Sequence, residues 1–207
     1  SFLLGSMDDL RTLPRSLTSL RLQEPKMVKE SPEWHTTAVP SHEQLLEIIA
    51  STYTKLITFE ITLQTMPVDS VKTFKFAPNL TKFGARVPAL SPKSSESFWS
   101  SLPRSLTKLV LESDGLIIEE TSFQLPSSLT LLLVDDLWIP PSCFAKLPRQ
   151  LTYLSASQDK RVTTTTTTTV SAEQLRNLPQ TLKTLSFPNL SLSGDDCFDA
   201  FPKSLTE

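Results

Sequence analysis

The chain has 207 residues, 39% hydrophobic and 20% charged, with a formal net charge of -2. These values fit a folded chain long enough for one large domain or one run of repeats, and they exclude a disordered polymer. They also exclude a global electrostatic field that would favour nucleic acid or an anionic membrane, and no apolar run reaches the roughly 18 to 20 residues of a membrane span.

The opening SFLLGSMDDL has no basic n-region and too short an apolar run for a secretory signal. It lacks an initiator Met, and the last residues break off within a repeat, so the sequence reads as a segment of a longer protein. LPRSLTSLRL begins at Leu13. Lys26 to Pro40 is rich in charge and Pro and reads as an insertion. Ser41 with Gln44 fits a capping box opening a helix to about Ser51. Two degenerate copies follow, Leu56-Phe59-Ile61-Met66 and Val71-Phe74-Phe76-Asn79. Arg86 to Ser97, rich in Ser and Pro, reads as a second insertion. LPRSLTKLVL begins at Leu102, LPSSLTLLLV at Leu125, LPRQLTYLSA at Leu147, LPQTLKTLSF at Leu178 and FPKSLTE at Phe201. The run of seven Thr from Thr163 to Thr169 reads as a loop inserted away from the sheet, with an extra strand as the alternative because Thr is β-branched. Ser171 with Gln174 fits another capping box.

The recurring frame is Leu-x-x-Leu-x-Leu, as in Leu106, Leu109, Leu111; Leu129, Leu132, Val134; Leu151, Leu154, Ala156; and Leu182, Leu185, Phe187. The first copy gives Leu17, Leu20, Leu22 and Met27. Alternation at the second and third apolar positions puts both on one face of a short strand. Upstream of five of the six repeat prolines, an apolar pair sits one helical turn apart: Leu10 and Leu13, Trp99 and Leu102, Phe144 and Leu147, Leu175 and Leu178, Phe198 and Phe201. Pro disfavours helix in the residue before it, so each unit reads as strand, loop, short helix, turn. A lone unit cannot balance its ordering entropy with the few side chains it buries, so stacked neighbours must supply the rest.

This frame resembles the leucine-rich repeat. The LPxSLxxL opening is similar to FNIP-type repeat proteins and to the repeats of bacterial effector ubiquitin ligases. The resemblance implies an α/β fold: a right-handed horseshoe solenoid with a parallel concave sheet and short convex helices and loops. Residues 1–207 would form one such domain, with insertions at about 23–40, 84–97 and 157–170. The Asn that the family places after the strand is matched only by Asn79; Pro25, Gln64, Asp114, Leu137, Asp159 and Leu190 stand elsewhere, which predicts irregular turns.

Few residues suggest chemistry. Cys143 and Cys197 occupy equivalent positions two repeats apart, beyond the Cα separation of about 7 Å that a disulfide spans, and read as buried free thiols. His35 and His42 fall at an insertion, with nothing to bring an acid or a nucleophile beside them. No metal-ligand spacing and no glycine-rich phosphate loop occur. The sequons at Asn79 and Asn189 read as chance in a chain rich in Ser and Thr, Asn79 being expected on the buried ladder. The expectation is a binding module, not an enzyme, with no cofactor and no metal.

Residues between the core leucines would line the concave face: Ser19, Arg21; Thr58, Glu60; Thr73, Lys75; Lys108, Val110; Leu131, Leu133; Tyr153, Ser155; Thr184, Ser186. Most are polar. Val110, Leu131, Leu133 and Tyr153 would instead form an apolar patch rimmed by Lys108, Glu112 and Asp135, the pattern of a protein-binding surface or, alternatively, of a surface that a flanking segment or an insertion covers. Lys108, Val110, Leu131, Leu133 and Tyr153 are therefore the expected partner-binding residues. The partner would be another protein; nucleic acid (the linear sequence has an acidic balance and no basic stripe), membrane and small molecules are not expected. The alternative, drawn from the resemblance, is the substrate-recognition arm of a ubiquitin ligase.

Overall fold

The Leu-Pro pairs at Leu13, Leu102, Leu147 and Leu178 follow short helical segments, that at Leu125 follows a turn, and the residues after each pair make a tight turn into a strand. In that turn the amide of the next Leu donates to the carbonyl three residues back: Leu106 to Pro103 (3.1 Å), Leu129 to Pro126 (3.0 Å), Leu151 to Pro148 (3.0 Å) and Leu182 to Pro179 (3.1 Å). The computed structural model describes residues 2–3, 7–23, 42–62, 75–87, 92–113, 118, 120–135, 139–157, 168–187 and 190–206.

Within them the order is β1 (Phe2–Leu3), α1 (Met7–Thr12), β2 (Ser19–Gln23), α2 (His42–Thr52), β3 (Thr58–Thr62), β4 (Lys82–Val87), α3 (Pro92–Ser101), β5 (Lys108–Ser113) and β6 (Leu131–Asp135). A 3-10 helix, Pro141–Lys146, leads to β7 (Tyr153–Ala156), β8 (Thr168–Val170), α4 (Ala172–Arg176), β9 (Thr184–Ser186), β10 (Leu190–Leu192) and α5 (Cys197–Ala200). β1 to β7 and then β9 form one eight-stranded parallel sheet in chain order, and β8 pairs with β10 in a second, two-stranded parallel sheet. The protein is thus α/β with a parallel sheet.

The register aligns the repeat. Leu20, Phe59, Phe83, Leu109, Leu132, Leu154 and Leu185 form one row across the strands. Leu22, Ile61, Ala85, Leu111, Val134 and Ala156 form the next. Most are buried, and they share one core with Leu10, Ile49, Trp99, Phe144 and Leu175 from the helical segments. The helices therefore cover the face to which the leucines point.

Side chains of the turn join successive units. The Ser128 hydroxyl donates to the carbonyls of Arg104 (2.6 Å) and Leu106 (2.7 Å) in the preceding turn. Ser105 does the same to Pro78 and Leu80, Thr181 to Arg149 and Leu151, and Ser204 to Gln180 and Leu182. One step on, Thr107, Thr130 and Thr152 each bond the preceding Thr carbonyl with both amide and hydroxyl, the hydroxyl distance being 3.0 Å in all three. The Ser-Leu-Thr triplet thus recurs for a reason: hydroxyl, buried side chain, hydroxyl. The hydroxyls satisfy carbonyls that the turn leaves without a partner in the turn itself.

Where the repeat is weakest in sequence, aromatic rings fill the core. Phe59 stacks on Phe83 (5.8 Å), Phe83 meets Phe76 edge-on (5.0 Å), and the contacts run on through Phe98 and Trp99 to Phe123. The Trp99 indole N–H donates to Ser95 Oγ at 3.1 Å. At the neighbouring unit, Tyr53 takes the place of the turn Pro, and its buried hydroxyl donates to the Leu10 carbonyl in α1.

Several expectations are corrected. The copy Val71-Phe74-Phe76-Asn79 is displaced. The unit is instead FAPNLTKFGA, with Ala77 in the place of Pro, Leu80 and Phe83 buried, and β4 beginning at Lys82. Asn79 is exposed in the turn, off the buried ladder, and its amide donates to the Thr54 carbonyl as the turn Ser does elsewhere. The insertion expected at 84–97 is largely regular: its first residues lie in β4, and α3 starts at Pro92 because Phe98 and Trp99 supply a buried helical face. In the insertion expected at 157–170, Thr168–Val170 is a strand, the alternative reading of the Thr run, and residues 158–167 lie outside the described residues. Of the insertion at 23–40, Gln23 ends β2 and the rest lies outside the described residues. Phe198 is 68% exposed; Cys197 and Ala200 are buried in its stead, so α5 is rotated from the expected register by one residue. The capping box at Ser171 and Gln174 is present in full.

Two predictions test this packing. Leu132→Ala, at a fully buried site, lowers unfolding free energy by about 2–5 kcal/mol, whereas Leu131→Ala, one residue away on the other face, costs less than about 1 kcal/mol; urea titration of both variants checks the register. Burial raises the Tyr53 phenol above its usual 10.0, and nearby Arg15 offsets part of that rise. The unfolded chain then loses this proton first. Stability from Tyr53 is complete below pH 10 and is lost as pH rises through the folded value. Tyr53→Phe costs about 1–2 kcal/mol at neutral pH and flattens the alkaline decline in denaturant titrations.

Candidate functional site: the open face of the sheet

Alternation along each strand sends every second side chain away from the core. Parallel pairing in register then lines these side chains up into rows. The first row is Ser19, Thr58, Lys82, Lys108, Leu131, Tyr153 and Thr184. The second is Arg21, Glu60, Gly84, Val110, Leu133, Ser155 and Ser186. The third holds Arg86, Glu112 and Asp135. Lys82 and Gly84 replace Thr73 and Lys75 on this face. Thr73 lies outside the described residues, and the Lys75 ammonium pairs with Glu47 of α2 at 2.6 Å.

The five expected binding residues sit together. Lys108 is the Cα partner of Leu131, which is the partner of Tyr153; Val110 is the partner of Leu133. Neighbouring strands lie about 4.8 Å apart, so these side chains are adjacent. Val110, Leu131, Leu133 and Tyr153 are half-buried and Lys108 is exposed. The rim is charged: Glu112 and Asp135 are exposed, and Ser157 donates to the Asp135 carboxylate.

The remainder of the face is polar and largely self-neutralised. Arg21 pairs with Glu60 at 3.4 Å and Arg86 with Glu112 at 3.6 Å, both across adjacent strands. Such exposed pairs contribute little to stability. Their effect is on surface character, since they leave the apolar patch as the part of the face with least hydration. Gly84 adds to the relief, because it presents no side chain between Glu60 and Val110.

Among the described residues, Ser51 and the two cysteines are held by structural contacts. A recess between α2 and the turn before β4 is lined by Glu47, Ala50, Ser51, Lys75 and Phe76. The Ser51 hydroxyl donates to the carbonyls of Glu47 and Ile48 in its own helix. Cys143 and Cys197 are buried free thiols. Burial raises the Cys143 thiol, the charge of Glu120 raises it further, and Lys146 and a hydrogen bond from Ser142 offset part of this. Cys197 Sγ donates to the Val170 carbonyl at 3.5 Å. His35 lies outside the described residues and His42 opens α2. Among the described residues no group of three or more His, Cys, Asp or Glu could hold a metal ion, and no helix is long and apolar enough to cross a membrane.

What sequence reasoning missed at this face is the copy at 76–85. Its signal was present in Asn79-Leu80-Thr81, a variant of Ser-Leu-Thr with Asn as the hydrogen-bonding residue.

Thiol accessibility gives a direct check. At about pH 8 an aromatic disulfide reagent leaves both cysteines of the folded protein unreacted over minutes, and both react once denaturant is added. Rapid labelling of either in the folded protein would contradict their placement.

In comparisons with known proteins, no family model matches this chain, and no curated protein matches it.

Proposed function

We propose that this chain is a leucine-rich-repeat protein-binding module: a solenoid that holds a partner protein on the open, concave side of its parallel sheet. The recurring LPxSLTxLxL phrase, one strand per copy, supports the repeat assignment. The observation that carries the function is the contiguity of Val110, Leu131, Leu133 and Tyr153 on strands β5 to β7, beside exposed Lys108, Glu112 and Asp135. Half-buried aliphatic and aromatic side chains with a charged rim suit the centre of an interface, where desolvation is favourable and the rim gives orientation. A sheet face set by backbone pairing also loses little conformational freedom on binding, which favours affinity.

The test is the double variant Leu133→Asp with Tyr153→Asp. Both side chains point away from the core, so the fold survives, with circular dichroism unchanged. Partner proteins retained from cell extract by the unaltered chain, quantified by mass spectrometry, fall by at least about tenfold. Unchanged recovery would remove the patch as the contact site.

A further inference from the structure

The turns that precede the strands carry a charge pattern that is dispersed in the sequence and collected by the fold. Eight equivalent segments are involved: 13–19, 53–58, 76–82, 102–108, 125–131, 147–153, 178–184 and 201–206. Their common turn bond, from the amide of the second apolar residue to the carbonyl three residues back, fixes the equivalence. Arg15, Arg104, Arg149 and Lys203 occupy the same turn position. Lys82 and Lys108 are Cα partners at the first strand position. Lys55 and Lys183 lie within the turns between those positions. All eight are exposed, and none of the described residues of these segments is Asp or Glu, in a chain whose formal charge is -2; Glu207, at the position equivalent to Lys108, lies outside the described residues. Among the described residues, none of the eight is in an ion pair, whereas Arg21 and Arg86 further along the strands are paired with Glu60 and Glu112.

Successive turns follow the strand spacing of about 4.8 Å, well inside a Debye length of about 8 Å at physiological salt. The cations therefore reinforce one another's potential at a cost in self-repulsion that a polyanion relieves. Only the fifth segment has no cation. It contributes Leu131 instead, in the row of Lys108 and beside Tyr153. The rim thus reads basic, apolar, basic along about 34 Å, the length of an extended polypeptide of about ten residues.

We infer that this rim is a docking track for an acidic polypeptide segment with an aliphatic residue near its middle, laid across the strands along the turns that precede them. The inference names the partner class for the module proposed above and rests on that reading only for the apolar centre. Aliphatic Leu131, Leu133 and Val110 offer a polypeptide side chain a place to be buried. With them lies one aromatic ring, Tyr153, whereas single-stranded nucleic-acid binders need stacking rings in series.

The probe is a fluorescent peptide of five glutamates, two leucines and five glutamates, added to the 207-residue chain and followed by anisotropy. It binds at about 50 mM salt and weakens by at least about tenfold at about 300 mM, as a screened charge contact must. Arg104→Glu with Arg149→Glu, both at exposed sites, leaves circular dichroism unchanged and weakens binding by at least about tenfold. Absence of binding at low salt, or a variant that binds as well as the original, overturns the track. Tighter binding of a twelve-nucleotide oligothymidylate overturns the polypeptide assignment. A peptide of glutamates alone that binds as tightly as the leucine-containing one upholds the track and counts against the apolar patch as a contact site.

Discussion

The hydrogen bonds from each turn to the one before it are the constraint on which the rest of the molecule depends. Apolar burial alone does not set register between parallel strands, because leucines on neighbouring strands could slide past one another with little change in buried area. The Ser and Thr hydroxyls remove that freedom. Ser128 can reach the carbonyls of Arg104 and Leu106 only when Leu129 lies beside Leu106, and Thr130 can reach Thr107 only in the same alignment. The rows on both faces follow from that alignment. One row becomes the core, and the next becomes a surface whose composition is free to vary.

That division explains which parts of the chain were legible as sequence. The units from Leu102 onward were readable because Leu, Pro, Ser, Leu and Thr recur together: Pro stops the helix and accepts the turn bond, Ser and Thr make the inter-turn bonds, and Leu fills the core. The stretch before Ser101 was harder because those roles are filled by other residues. Tyr53 and Ala77 stand where Pro stands elsewhere, Asn79 bonds where Ser does, and Phe59 and Phe83 replace Leu. Val71, Phe74 and Phe76 mimicked the strand frame, and spacing alone could not distinguish them from the true strand at Lys82. Hydrogen-bonding capacity is the better guide there, since Asn before Leu-Thr marks the turn whatever precedes it.

The candidate site was legible for the same reason it was incomplete. Lys108, Val110, Leu131, Leu133 and Tyr153 lie in well-formed repeats, where alternation assigns faces without ambiguity. Their neighbours Lys82 and Gly84 lie in the displaced copy and were missed. The basic rim was invisible for another reason. Its cations lie many residues apart along most of the chain and become neighbours only when each turn stacks on the last. A window moved along the sequence averages them against acids that the fold directs to other surfaces, such as Glu47 of α2 and Glu173 of α4.

The inter-turn bonds also have a direction. In every case described, the hydroxyl belongs to the later unit and the accepting carbonyl to the earlier one. Biosynthesis delivers the amino-terminal part first. A nascent unit leaving the ribosome therefore meets a template already in place, with acceptors waiting for its donors, and growth can proceed by successive accretion without a search among alternative alignments.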